Sequence, residues 1–213
     1  GKPNLQINDM IFKALEKLDR NVDIEYNFSV PTEIKSEPAE ITEKYDVSQC
    51  KMIMAYKTDS ADFYAQKVMS ALMGGTAFSL LFTNVREKLS LCYYCASNIL
   101  ECKRVMLIDS GVEKSNIDKA RTEIEKQLQS ISDGEFSDEL FENTKSALCN
   151  GFKSNCDSME SLNSWYFTQR IRGGEASPDE INEIIRSVSK ERVIASAKSF
   201  KLDTVYVMEP EVE

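Results

Sequence analysis

Six cysteines and no histidine limit the chemistry open to this 213-residue chain. Without imidazole, a transition-metal site would have to be built from thiolates and carboxylates. Cys92 and Cys95 form a C-x-x-C pair within Leu91-Cys92-Tyr93-Tyr94-Cys95-Ala96. That stretch is rich in strand formers, and strand side chains three apart point to opposite faces. A regular strand therefore keeps the two thiols off one metal. Cys149 and Cys156 are seven apart on a predicted helix, which separates them by about 10 Å along the axis, too far for one bridge. The cysteines read as buried thiols in a reducing compartment. Glu123 with Glu125, and Glu180 with Glu183, have the oxygens for a hard cation but the setting of solvated helix faces. The sequence assigns no metal to the chain.

The charge balance narrows the partners. Thirty-five acidic against 26 basic side chains give a net charge of -9, which repels phosphate backbones and anionic lipid. Nucleic acid is therefore not an expected partner. No apolar run approaches the roughly 20 residues of a membrane span, and no charged-then-apolar leader opens the chain, so no membrane and a cytoplasmic location are expected. Gly1-Lys2-Pro3, with no initiator Met, reads as a start inside a longer protein or after a removed tag.

The elements that would position functional groups follow from periodicity. Ile7, Ile11, Ala14, Leu15 and Leu18 recur at helical spacing after the cap residue Asn4. Residues 1–30 are thus expected to be a leading helix and connector, the tail of a preceding domain. The acidic stretch 31–46, with Pro31 and Pro38, reads as a linker or surface meander. Residues 47–213 form the main domain. It opens on the apolar run Lys51 to Tyr56, an inner strand, followed by a helix capped at Ser60 and ended by Gly74-Gly75.

A second helix is expected to bury Phe78, Phe82, Val85 and Leu89, with Arg86 on the border of that stripe. Tyr93 to Ile99 and Arg104 to Val112 read as a hairpin. Helices then start at Asn116, Ser137, Ser177 and Ser189, the third with a capping box, and the Ser137 helix is expected to run past Gly151 toward Trp165. Thr204 to Met208 is a last strand. The order gives an α+β fold, a mainly antiparallel sheet with helices packed on one face.

The stretch Gly74-Gly75-Thr76-Ala77-Phe78-Ser79-Leu80-Leu81-Phe82, continued by Thr83 to Ser90 and closing on Leu91-Cys92-Tyr93, resembles the C-terminal domains of pitrilysin/insulinase-type zinc metallopeptidases. In that family a glycine pair, a Ser-x-Leu-Phe helix, an Arg-Glu-Lys and a Leu-x-Tyr occur in this order. The likeness runs more loosely from about residue 45 to 208, and Ser90 and Cys92 stand where glycine and alanine are usual. The second tyrosine is similar to the short bacterial members that pair a zinc-bearing subunit with one that binds none.

The resemblance implies a mitochondrial processing peptidase-like domain that closes a peptide chamber. It implies that Arg86 and Tyr93 contact the substrate carbonyl or oxyanion, chemistry that suits a guanidinium and a phenol. It also implies substrate contacts for Gly74, Gly75 and Ser79. The family's H-x-x-E-H motif cannot exist in a chain without histidine, so zinc is expected on a partner domain or subunit. The chain alone is expected to be inactive. Pattern alone reads Arg86 as a helix-surface arginine and Tyr93 as a sheet tyrosine, with Tyr94 in the core. A non-catalytic scaffold of the same family and a stand-alone ferredoxin-like binding module are the other readings.

Overall fold

The computed structural model describes residues 4–19 and 31–211. A first helix, α1 (Leu5–Leu15), is capped by Asn4, whose Oδ1 accepts from the backbone N–H groups of Gln6 and Ile7. It buries none of its residues and leaves Leu5, Met10 and Phe12 exposed. The connector expected from 20 to 30 lies outside the described residues.

Among the described residues the sheet has five strands: β1 (Ala39–Tyr45), β2 (Cys50–Lys57), β3 (Cys92–Leu100), β4 (Val105–Val112) and β5 (Lys201–Pro210), in the order β1-β5-β2-β4-β3. Only the β1–β5 pair is parallel. The α+β expectation, mainly antiparallel with helices on one face, is met. The residues 31–46 expected to form a linker include β1, an edge strand. Its sequence gave no apolar signal because an edge strand in this position buries almost nothing: only Ala39 is even partly buried. Polar groups hold it instead, Glu40 against Arg121 at 2.7 Å and Glu43 against the Tyr206 hydroxyl at 2.8 Å.

Alternation along β2 buries Cys50, Met52, Met54 and Tyr56 on the helix side, where Met106, Ile108 and Val112 of β4 join them. The covering helices are α2 (Phe63–Ser70), α3 (Ile117–Ser132), α4 (Asp138–Lys153), α6 (Pro178–Ser187) and α7 (Lys190–Ser199), while α5 (Met159–Ile171) buries none of its residues. No helix among the described residues is long and apolar enough to cross a membrane.

Several caps fall where the sequence puts them. Ser137 Oγ accepts from Leu140 N–H, Ser189 Oγ from Arg192 N–H, and Ser177 with Glu180 forms the full capping box. Ser137→Ala is expected to lower the unfolding free energy by about 1 kcal/mol, measured by urea denaturation.

Other boundaries differ. Asp62, not Ser60, caps α2, because its carboxylate accepts from Ala65 N–H while also taking both arms of Arg192, at 2.7 and 2.8 Å. Asn116 makes no side-chain cap and ends a short 3-10 turn. The Ser137 helix stops at Lys153, after which Ser158 caps α5.

Candidate functional site

Two pieces at the head of the Gly74 to Tyr94 stretch are wound more widely than an α-helix. Ala71–Gly75 and Leu81–Lys88 are π-helical, and Leu89 N–H reaches back five residues to the Asn84 carbonyl. A wider turn rotates the buried stripe off the 3.6-residue period. Leu81 and Val85 are fully buried, while Phe78 and Leu89, expected inside, are exposed, Phe78 in the turn ahead of the second π segment and Leu89 just past its end. Ser90 then takes a left-handed φ of 51° and turns the chain into β3.

Arg86 sits in the last turn of the second π segment with its side chain 40% exposed. Its guanidinium lies 4.6 Å over the Phe82 ring, and its Nε is 3.6 Å from Glu87 Oε1. A ring face and one exposed carboxylate hold the group in place while leaving most of its donors to solvent.

Tyr93 is displayed by a β-bulge. Cys92 pairs with Val112 and Tyr94 with the adjacent Gly111, so Tyr93 has no partner across the ladder. An extra residue in one strand bends it and redirects side chains. Tyr93 is 49% exposed and its hydroxyl donates to the carboxylate of Glu113, just past the end of β4. Tyr94, expected in the core, is also exposed. Its ring lies over Gly111, where a Cβ would come within 2.6 Å of the ring, and its hydroxyl donates to Asp109 at 3.0 Å. Burial of part of the ring, helped by the Asp109 carboxylate, pushes the Tyr94 phenol up to about 12.

The same bulge overturns the argument that Cys92 and Cys95 face opposite ways. With one residue, Tyr93, bulged between them, both turn to the helix side and are buried. The neighbouring Cys95 thiol lowers Cys92, and the Cys92 thiol together with burial raises Cys95. Their spacing of three, followed by buried Ser97 two residues on, is the sequence signal of a bulge, but a polar serine hid it. No three Cys, Asp or Glu side chains gather at metal-ligating distance among the described residues, so this donor set does not fit a catalytic zinc.

Of the three positions expected to touch substrate, the structure buries two. Gly74 lets the first π segment rest on β3: a Cβ there would meet the Ser97 backbone nitrogen at 2.6 Å. Ser79 is fully buried and donates its hydroxyl to the Thr76 carbonyl at 2.7 Å. Both shape the turn and lie out of a ligand's reach. Gly75 is exposed and borders a hollow of about 390 Å³ beside Thr76, Phe152 and Trp165.

Comparison with known proteins places this arrangement. The model of the peptidase M16 inactive domain matches residues 3–148. The chain belongs to the peptidase M16 family. The likeness first read from Gly74 to Tyr93 thus holds at the family level, on the side that carries no catalytic motif. Over 178 residues it is 33% identical to a Bacillus subtilis (strain 168) protein named "Probable inactive metalloprotease YmfF", covering 82% of this chain and 42% of that one.

A conserved protein from Enterococcus faecalis V583 superposes with a TM-score of 0.87 at 25% identity, over 99% of this chain and 51% of that one. A Helicobacter pylori protease shares the fold, with a TM-score of 0.80 at 16% identity, over 98% of this chain and 53% of that one. This M16 chain therefore spans about half the length of the relatives it matches.

Proposed function

We propose that the chain is the zinc-free half of an M16 assembly, which closes a peptide-holding chamber against another M16 domain and presents Arg86 and Tyr93 to peptide carbonyls. The observation that carries this is the bulge: it sets Tyr93 outside the ladder, exposed, at the end of β3 into which the helix of Arg86 runs. Arg86 is a donor only, and the Tyr93 hydroxyl, which can both donate and accept, has its proton directed at a carboxylate. Each is held by a carboxylate that a bound peptide can displace, Glu87 for Arg86 and Glu113 for Tyr93. Two further facts support a partner half. The relatives are about twice as long, and α1 leaves Leu5, Met10 and Phe12 exposed.

The second reading, a half that holds peptides without cleaving them, is favoured by the inactive designation of the Bacillus relative. Both readings require the same two residues to bind peptide, and they differ in whether the assembly cleaves it. With the chain assembled on a zinc-bearing M16 domain, Arg86→Ala and Tyr93→Phe are each expected to lower peptide affinity or turnover at least about tenfold, one lost oxyanion donor costing up to about 100- to 1,000-fold in turnover. Glu113→Ala is expected to strengthen peptide binding by removing the acceptor of the Tyr93 hydroxyl. Fluorescence anisotropy of a labelled peptide reads binding, and product analysis reads cleavage. Wild-type values for both Arg86→Ala and Tyr93→Phe, with unchanged melting, would remove the pair from the function.

A further inference from the structure

A cavity of about 1020 Å³ lies between the start of α2, the β3–β4 connection and α5. It is remote from the Arg86–Tyr93 rim. Tyr93 and Glu101, which lines the cavity, stand at opposite ends of β3, roughly 26 Å apart at ~3.3 Å per strand residue. Its size lies at the upper end for pockets that take small molecules.

Two features of the lining specify a ligand. One is aromatic: Phe152 and Trp165 meet edge to face with centroids 5.4 Å apart, and Phe63 and Tyr64 do the same at 5.5 Å. The other is cationic, in a chain whose net charge is -9. The Lys67 ammonium lies 5.1 Å from the Phe63 ring and 5.4 Å from the Phe152 ring, between two elements of the wall. Lys67 and Arg172 share the single carboxylate of Glu101, at 3.4 and 2.5 Å, and that carboxylate is only 14% exposed.

Arg104 adds a third positive charge, with Nη1 donating to the neutral Asp59 carbonyl. Against these three cations the lining offers Glu101 and Glu160. One guanidinium fork offers more donors than one shared carboxylate can accept. The cavity is thus short of one anion and walled by ring faces.

We propose that this cavity binds an aromatic carboxylate, its ring against Trp165 and Phe152 and its carboxylate on Arg172 and Arg104. Trp165 is the only tryptophan of the chain and lines the cavity, so its emission reports occupancy directly. The 213-residue chain is titrated with 3-phenylpropionate, and separately with phenethylamine, which keeps the ring and inverts the charge. Saturable change with the acid, none with the amine, and at least about tenfold weaker binding in Arg172→Gln are expected.

No saturation by 3-phenylpropionate up to about 10 mM, a weak but reachable limit for so small a ligand, would overturn the proposal. So would equally tight binding of phenethylamine. If Arg172→Gln melts below the wild type, Arg104→Gln serves in its place: weakened binding supports the assignment and unchanged binding refutes it.

Discussion

Gly74→Val is expected to lower the unfolding free energy by about 3 kcal/mol, the upper part of the usual range for an overpacked core. The reason lies in what the new side chain would meet. A Cβ at position 74 falls 2.6 Å from the Ser97 nitrogen and 3.1 Å from the Ala96 carbonyl carbon, both backbone atoms of β3. Leu81 Cδ1, at 2.8 Å, can rotate away. The strand cannot, because β4 pairs with it residue by residue from Tyr94 to Leu100.

The first π segment must therefore lift off the sheet. That motion also pulls apart Ser70 and Ser97, whose buried hydroxyls lie 3.0 Å from each other. Gly75→Ala is the matched control. There the nearest atoms are the Ala71 Cβ at 3.3 Å and the Ser70 carbonyl oxygen at 3.6 Å, so less than half the effect is expected. Denaturation midpoints compare the two. Because β3 also carries Tyr93, peptide binding should fall along with stability in Gly74→Val and hold in Gly75→Ala. Equal stability of the two variants would show that close approach at position 74 does not hold this junction together.

How far the sequence could be read depended on whether each element kept its ordinary period. The inner strand from Lys51 to Tyr56, the hairpin, the capping box at Ser177 and the caps at Ser137 and Ser189 are local signals, and the structure keeps them. The candidate site is where regular periods fail. A turn that leaves Phe78 outside breaks the expected single helix, which ends before Leu89, and one bulged residue turned Tyr93 and Tyr94 out and Cys92 and Cys95 in. The widened turns leave no apolar period of their own, and the bulge's one mark, the spacing of Cys92, Cys95 and Ser97, is masked by the polar serine.

Gly74 was legible as a special position but not its use. A glycine that breaks a helix and a glycine that admits a neighbouring strand look alike until the neighbour is in place. The edge strand β1 stayed hidden for the opposite reason, having almost no buried face to announce it. The cavity beside Trp165 was invisible because its lining comes from segments more than 100 residues apart.

That edge strand is reached through a connector whose anchorage gives the second large effect. Asp203→Asn is expected to cost about 2 kcal/mol near pH 7, below the usual loss on breaking a buried ion pair because part of the stranded charge can hydrate. The Asp203 carboxylate is 4% exposed. It lies 2.8 Å from Lys57 Nζ and 3.3 Å from Lys35 Nζ, and accepts from the Lys35 N–H and the Thr204 hydroxyl. Lys57 also donates to the Glu33 carbonyl at 2.8 Å. One carboxylate thus ties residues 33–35 to β2 and β5 just ahead of β1.

Burial alone would raise this carboxyl. The bonds from Lys57, Thr204 and Lys35 outweigh burial and hold it at about 2, against an ordinary 3.8. A carboxyl depressed in the folded state adds stability above its unfolded value, and loses it as pH falls through the folded one. The gap between wild type and Asp203→Asn should therefore be full above about pH 4 and close as the pH drops toward about 2. Denaturation of both proteins across that window measures it. A gap that stays constant with pH would mean that the aspartate's charge is not what fastens the connector, and that residues 33–35 are held by backbone contacts alone.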